Sequence, residues 1–178
     1  MFDRPRGSIP ILVLLFLLPQ SVFVIGDYLA VGLRFPLLRA QLVMQSVTLS
    51  GGSTETTIAP SIITVVRELQ FVVQGIVGSP FGKTAIATYI WVAGLAVLII
   101  AAVLVISWQV LGNPDHARYP GPLLFLGGAL FIVWAIVQFG PLFYGPVGYS
   151  LPIGIPFLWY CAYQFTEAAK GKGEAGDE

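Results

Sequence analysis

Charge is what this sequence has least of. Asp, Glu, Lys and Arg make up 10% of its 178 residues, where a soluble domain carries about 25%. With 56% of the chain hydrophobic, too few polar side chains remain to coat a water-soluble globule, so lipid is the expected solvent for most of it. The nine basic and nine acidic residues cancel, which removes the electrostatic footprint of a nucleic-acid binder. Cysteine and histidine are equally scarce, Cys161 and His116 standing alone. An intrachain disulfide, a bis-histidine haem and any site needing two such ligands are thereby excluded within one chain. The GxxxxGK[ST] phosphate loop, the GxSxG elbow and the HExxH motif are missing too. The sequence assigns no catalytic residue, metal or cofactor.

What the chain has instead is apolar length. About 20 apolar residues of helix cross the hydrocarbon core, and four segments approach that, at about 9–33, 84–111, 123–139 and 150–169. Arg4 and Arg6 ahead of Ile9 to Leu18 give the N-terminus the look of a signal peptide, but no small-residue cleavage site follows, so it is read as a retained span kinked at Pro19. The segment after Lys83 is the clearest, with Trp91 and Trp108 roughly 26 Å apart along a helix, close to the spacing of two bilayer interfaces. The fourth carries Pro152 and Pro156 in its first turns. The expected fold class is therefore an all-α integral membrane protein, one membrane domain over 1–178 with about four transmembrane helices and a disordered tail at 171–178.

The long connection 34–83 is neither apolar enough to cross nor polar enough to be a simple loop. From Ile62 to Val77 its apolar residues, Ile62, Val66, Leu69 and Val73 among them, recur at helical spacing, with Thr64, Arg67, Glu68 and Gln74 opposite. This predicts an amphipathic helix. A weaker pattern through Leu38, Leu42 and Leu49 predicts a second, joined to the first by the flexible polar linker from Ser50 to Thr57, so that a helical hairpin lies along the membrane. Counting Lys and Arg near span ends places both termini in the cytoplasm of a multi-pass cell-membrane protein, although Arg34, Arg39, Arg67 and Lys83 then fall outside. The amphipathic segment and the uncharged turn Gly140 to Tyr149 share the outer face.

Candidate functional residues are few. Asp27 is the one carboxylate inside an expected span, and an ionisable group there is a functional candidate by default. Arg34 lies two turns further along the same face, so an interfacial salt bridge or polar anchor is the plainer reading. Gln20, Gln109 and Gln138 are read as hydrogen-bonding glue between helices. Trp134, mid-span, points to a buried contact surface, while the other aromatic residues near span ends are read as interfacial belts. Phe143 and Tyr144, with Ile62, Val66, Leu69 and Val73, are candidate partner contacts. The function expected is a non-catalytic accessory or structural subunit of a membrane assembly, whose partners are the bilayer and other membrane chains or further copies of itself. A small transporter or channel comes second, and third an interfacial lipid or quinone enzyme built on Asp27, Asp115, His116 or Glu167.

Overall fold

The computed structural model describes residues 8–48, 54–111 and 114–173. Helix α1, Ser8–Leu17, ends just before Pro19, whose missing N–H and fixed φ stop a helix. Beyond it the chain turns to β-branched and aromatic residues, which suit a pleated surface: strand β1, Ser21–Ile25, a single turn α2, Gly26–Leu29, and strand β2, Ala30–Arg34. A tight turn at Phe35 to Leu38, closed by the Phe35 N–H donating to the Leu38 carbonyl at 2.8 Å, leads into β3, Leu38–Thr48, and β4, Thr54–Thr64. Helix α3, Val65–Val73, follows at once, its N-terminus capped by Thr64 Oγ1, which accepts from the Arg67 N–H. Then come α4, Lys83–Leu111, a 3-10 turn, Pro114–Arg118, α5, Pro120–Phe139, the two-residue β5, Tyr144–Gly145, β6, Gly148–Leu151, and α6, Ile155–Gly173.

The six strands form one antiparallel sheet in the order β4-β3-β2-β1-β6-β5. This overturns the all-α expectation, because the protein is mixed α/β. The first expected span, 9–33, is a helix to Leu17 and then two strands with the single turn α2 between them. The expected helical hairpin is a β-hairpin of 11-residue strands, in which Leu42 faces Pro60 and Leu38 faces Thr64. Helical spacing across Ile62 to Val77 was broken by the β4–α3 boundary, so only Val65–Val73 is helix. Part of the expected flexible linker, and the signal-like Arg4 and Arg6, lie outside the described residues. Of the expected tail 171–178, the first three residues belong to α6, which runs to Gly173, and the rest lie outside the described residues.

Among the described residues two helical segments are long and apolar enough to cross a membrane, Lys83–Val110 and His116–Phe139. The expected spans 84–111 and 123–139 correspond to them. The ten residues of α1 extend roughly 15 Å, short of the bilayer core. Helix α6 carries Thr166, Glu167 and Gln164 in its second half and falls below that apolarity.

In α4 the buried positions Ala87, Trp91, Leu98, Ala101, Val105 and Trp108, with Gly94 between Trp91 and Leu98, alternate in steps of three and four. That repeat lays one seam along α5 in the manner of knobs into holes. A Cβ on Gly94 would lie 2.7 Å from Phe131 of α5, so glycine there lets the two backbones approach. Helix α6 runs back along α5, Trp159 lying by Gly128 and Thr166 by Gly121, and its last turns reach the 3-10 turn. Ser107 Oγ and His116 Nδ1, 2.9 Å apart, join that turn to α4. At the other end β1 pairs with β6 (Phe23 opposite Ser150), stitching the connection before α4 to the one after α5.

Candidate functional site

The inner face of the sheet packs on the first turns of α4 and the last turns of α5, and there the protein buries charge. Alternation along β2 points Ala30, Gly32 and Arg34 inward. Arg39 of β3 is directly opposite Arg34 in the antiparallel register, so both guanidiniums share that face. Like charges set across a strand pair repel, and Glu68 of α3 bridges them. Its Oε2 lies 2.5 Å from Arg34 Nη2, and its Oε1 3.3 Å from Arg39 Nε. Glu68 is buried with Val65 and Val72, whereas Val66 and Val73 point outward. The buried stripe of α3 is thus shifted toward Glu68, keeping Val65 and Val72 of the expected apolar face and leaving Val66 and Val73 outside.

Tryptophans complete the enclosure. The Arg34 guanidinium carbon is 4.3 Å from the Trp91 ring centroid and 4.7 Å from that of Trp134. The two indoles meet edge to face, Trp91 stacks on Phe131 at 4.2 Å, and Trp134 meets Phe139 edge-on. The Trp91 indole N–H donates to the Pro36 carbonyl at 3.0 Å, tying the β2–β3 turn to α4. Arg34 is only 5% exposed. Desolvation lowers its pKa below the usual guanidinium range to about 10, with the Glu68 carboxylate opposing that shift and Arg39 adding to it. It stays cationic at neutral pH. Cation–π contact with desolvated indoles is worth about 2 kcal/mol, so the cage offsets part of the burial cost. Beside it lies a cavity of about 90 Å³ lined by Arg34, Arg39, Glu68, Thr84, Thr88 and Gln138, with apolar walls from α3, β1 and α5.

The outer face of the same sheet is its opposite in chemistry. Val31, Leu33, Leu42, Met44, Ile58, Ile62 and Leu151 are each more than a third exposed. Register makes them contiguous, through Val22 opposite both Leu33 and Leu151, Val31 opposite Leu42, and Met44 opposite Ile58. A shallow groove of about 420 Å³ runs along this face past Val22, Leu33, Leu42 and Ile62.

The sequence-derived candidates scatter between these two faces. Arg34 is the hub of the inner cluster and Gln138 lines its cavity. Gln20 caps α1 instead of bridging helices, its amide nitrogen donating to the Leu15 and Leu18 carbonyls at 3.2 and 3.3 Å. Gln109 is half-buried near the far end of α4, and the side chain of Asp27 lies outside the described residues. Trp134 is buried against Arg34 and offers no outer surface. Ile62, Val66, Val73 and Tyr144 are exposed, and Leu69 and Phe143 half-buried. Trp91 and Trp108, read as belt residues, face the core. Sequence reading missed Arg39, Glu68 and Trp91 as parts of one site. The available signal was Arg34-Phe35-Pro36-Leu37-Leu38-Arg39, a proline turn flanked by two arginines that a hairpin sets opposite each other.

No known family matches this chain, and no curated protein is a significant relative of it.

Proposed function

We propose that the chain is a non-catalytic subunit of a membrane assembly, anchored by the α4–α5 hairpin and docking through the outer face of its sheet onto an apolar, uncharged surface of another membrane protein. The observation that carries this is the contiguous apolar face. Monomers rarely leave more than a few hundred Å² of such surface open, and here seven large apolar side chains stand exposed together. Docking at the sheet edge is less favourable, because edge strand β4 contains Pro60, which removes a donor from any added ladder. A bilayer is a poorer occupant than protein, because no lysine or arginine lines the groove along this face to meet headgroups.

Anchoring is supported by where the apolar residues of the hairpin point. In the most apolar windows of its two helices only 33% and 39% of residues are buried within the protein, while a soluble core helix is mostly buried. Ile99, Ile100, Val103 and Val110 of α4 and Phe125, Leu126 and Val133 of α5 face outward, and a helix apolar all round needs lipid or protein about it. The hairpin makes the protein multi-pass. This reading keeps the sheet outside and the 3-10 turn in the cytoplasm, the orientation expected from the charge count over the sequence's apolar segments.

Purification in mild detergent followed by mass measurement tests this reading. The wild-type particle is expected to exceed one 19.2 kDa chain with its detergent. Leu42→Asp with Ile62→Asp is expected to reduce it to the single chain, while Thr56→Asp near the hairpin tip leaves it intact. A solitary wild-type chain, an assembly untouched by the double variant, or a particle made only of copies of this chain would each overturn it.

A further inference from the structure

We propose that the cavity beside Arg34 binds a singly charged phosphate group. Its charged lining residues are two arginines and one glutamate, leaving one positive charge in a chamber whose other walls are Phe23, Phe71, Val72 and Phe139. Arg34 is 5% exposed and its Nε has no hydrogen-bond partner, although Nη2 is taken by Glu68. A buried guanidinium donor without an acceptor is costly, and a ligand oxygen supplies one. The remaining polar lining includes further donors, Arg39, the Thr84 hydroxyl and the Gln138 amide, while the Thr88 hydroxyl already donates to the Thr84 carbonyl at 3.0 Å. Thr84 and Thr88 stand on the first two turns of a 29-residue helix, where the backbone dipole also favours an anion. Glu68 is the one acidic residue in the lining; both arginines lie against it, although its buried Oε1, 3.3 Å from Arg39 Nε, accepts no hydrogen bond.

Size and position narrow the ligand. A water needs about 10–15 Å³ of cavity space, so about 90 Å³ has room for a tetrahedral oxyanion. Thr84 and Val77, both exposed, open the cavity to the surface. A phosphodiester headgroup entering here keeps its acyl chains outside the cavity. Inorganic phosphate carries the same chemistry without the chains. The headgroup source rests on the membrane anchoring proposed above, whereas the oxyanion site itself does not.

The test uses the full chain, delipidated in a neutral detergent and titrated with inorganic phosphate and separately with short-chain phosphatidylglycerol. Short-chain diacylglycerol serves as the phosphate-free control. Binding of either phosphate ligand, absent for diacylglycerol, is expected. Arg39→Gln, at a partly exposed position that spares the Arg34–Glu68 pair, is expected to weaken it by about tenfold or more. Arg39→Lys should recover part of the loss, and Arg118→Gln, on the exposed 3-10 turn, should change nothing. Binding of phosphatidylglycerol alone assigns the site to a headgroup, and binding of inorganic phosphate assigns it to the free anion. The proposal is overturned if neither binds at millimolar concentration, if diacylglycerol binds equally well, or if Arg39→Gln binds like the wild type. It fails independently of the docking subunit, whose mass measurement reads the opposite face of the sheet.

Discussion

Arg34 holds its place through three kinds of contact at once, a carboxylate, two indole faces and the strand register that fixes its direction. Because the cation is desolvated, removing its counter-charge leaves an unpaired buried guanidinium, and that is worse than removing both partners. Glu68→Gln is therefore expected to cost about 3 kcal/mol and to lower Tm by roughly 10 °C in a chain of this size. The double change Arg34→Met with Glu68→Leu should cost less than Glu68→Gln alone. Thermal melts followed by tryptophan fluorescence suit the measurement, since Trp91 and Trp134 flank the pair. Additive single-mutant losses would show that the two residues do not interact. Arg34 stood out in the sequence as a polar residue beside apolar segments, but its partner did not. A carboxylate 34 positions away becomes a neighbour only once β2, β3 and α3 are folded, and no local spacing encodes that.

Between elements, the close packing of α4 on α5 depends on side chains too small to hold them apart. With Phe131 2.7 Å from a Cβ at position 94, Gly94→Val must displace either the ring or the helix, and Phe131 is pinned by its stack on Trp91. Overpacking of this kind costs about 1–3 kcal/mol, and here it also moves Trp91 away from Arg34. A lower Tm with a shifted tryptophan emission maximum is the expected result, whereas Gly94→Ala should show a milder form of both. Unchanged melting in Gly94→Val would mean that the helices are less tightly packed than described. Both helices were legible from length, missing charge and bounding breakers, because burial in lipid or protein imposes all-round apolarity. The strands were not legible. Thr54 to Thr64 is dense in Thr and Ile, a strand composition, yet its first residues to Thr57 read as a polar linker and those from Ile62 as the start of an amphipathic helix; Pro60 falls between. An edge strand tolerates the proline.

At the scale of the whole molecule, if the α4–α5 hairpin crosses a membrane as proposed, the β1–β6 pairing decides which parts share a side of it. Strand β1 precedes α4 and β6 follows α5, so a sheet containing both fixes the two ends of the hairpin on one side and leaves the 3-10 turn on the other. Sequence reasoning placed the same two connections together through charge counting, whereas the hydrogen-bonded register requires it whatever the orientation. Single cysteines introduced into a Cys161→Ser background read this out, since Cys161 is itself buried. Thr57→Cys on β4, Leu142→Cys beside β5 and Arg118→Cys in the 3-10 turn are all exposed positions. In intact cells a membrane-impermeant maleimide is expected to label the first two, and Arg118→Cys only after permeabilisation. Labelling of all three from one side would show that α4 and α5 do not cross. Opposite results for Thr57→Cys and Leu142→Cys would break the sheet in two. The reverse pattern, with Arg118→Cys alone labelled in intact cells, would keep the fold and invert the orientation, placing the apolar sheet face and its partner on the cytoplasmic side.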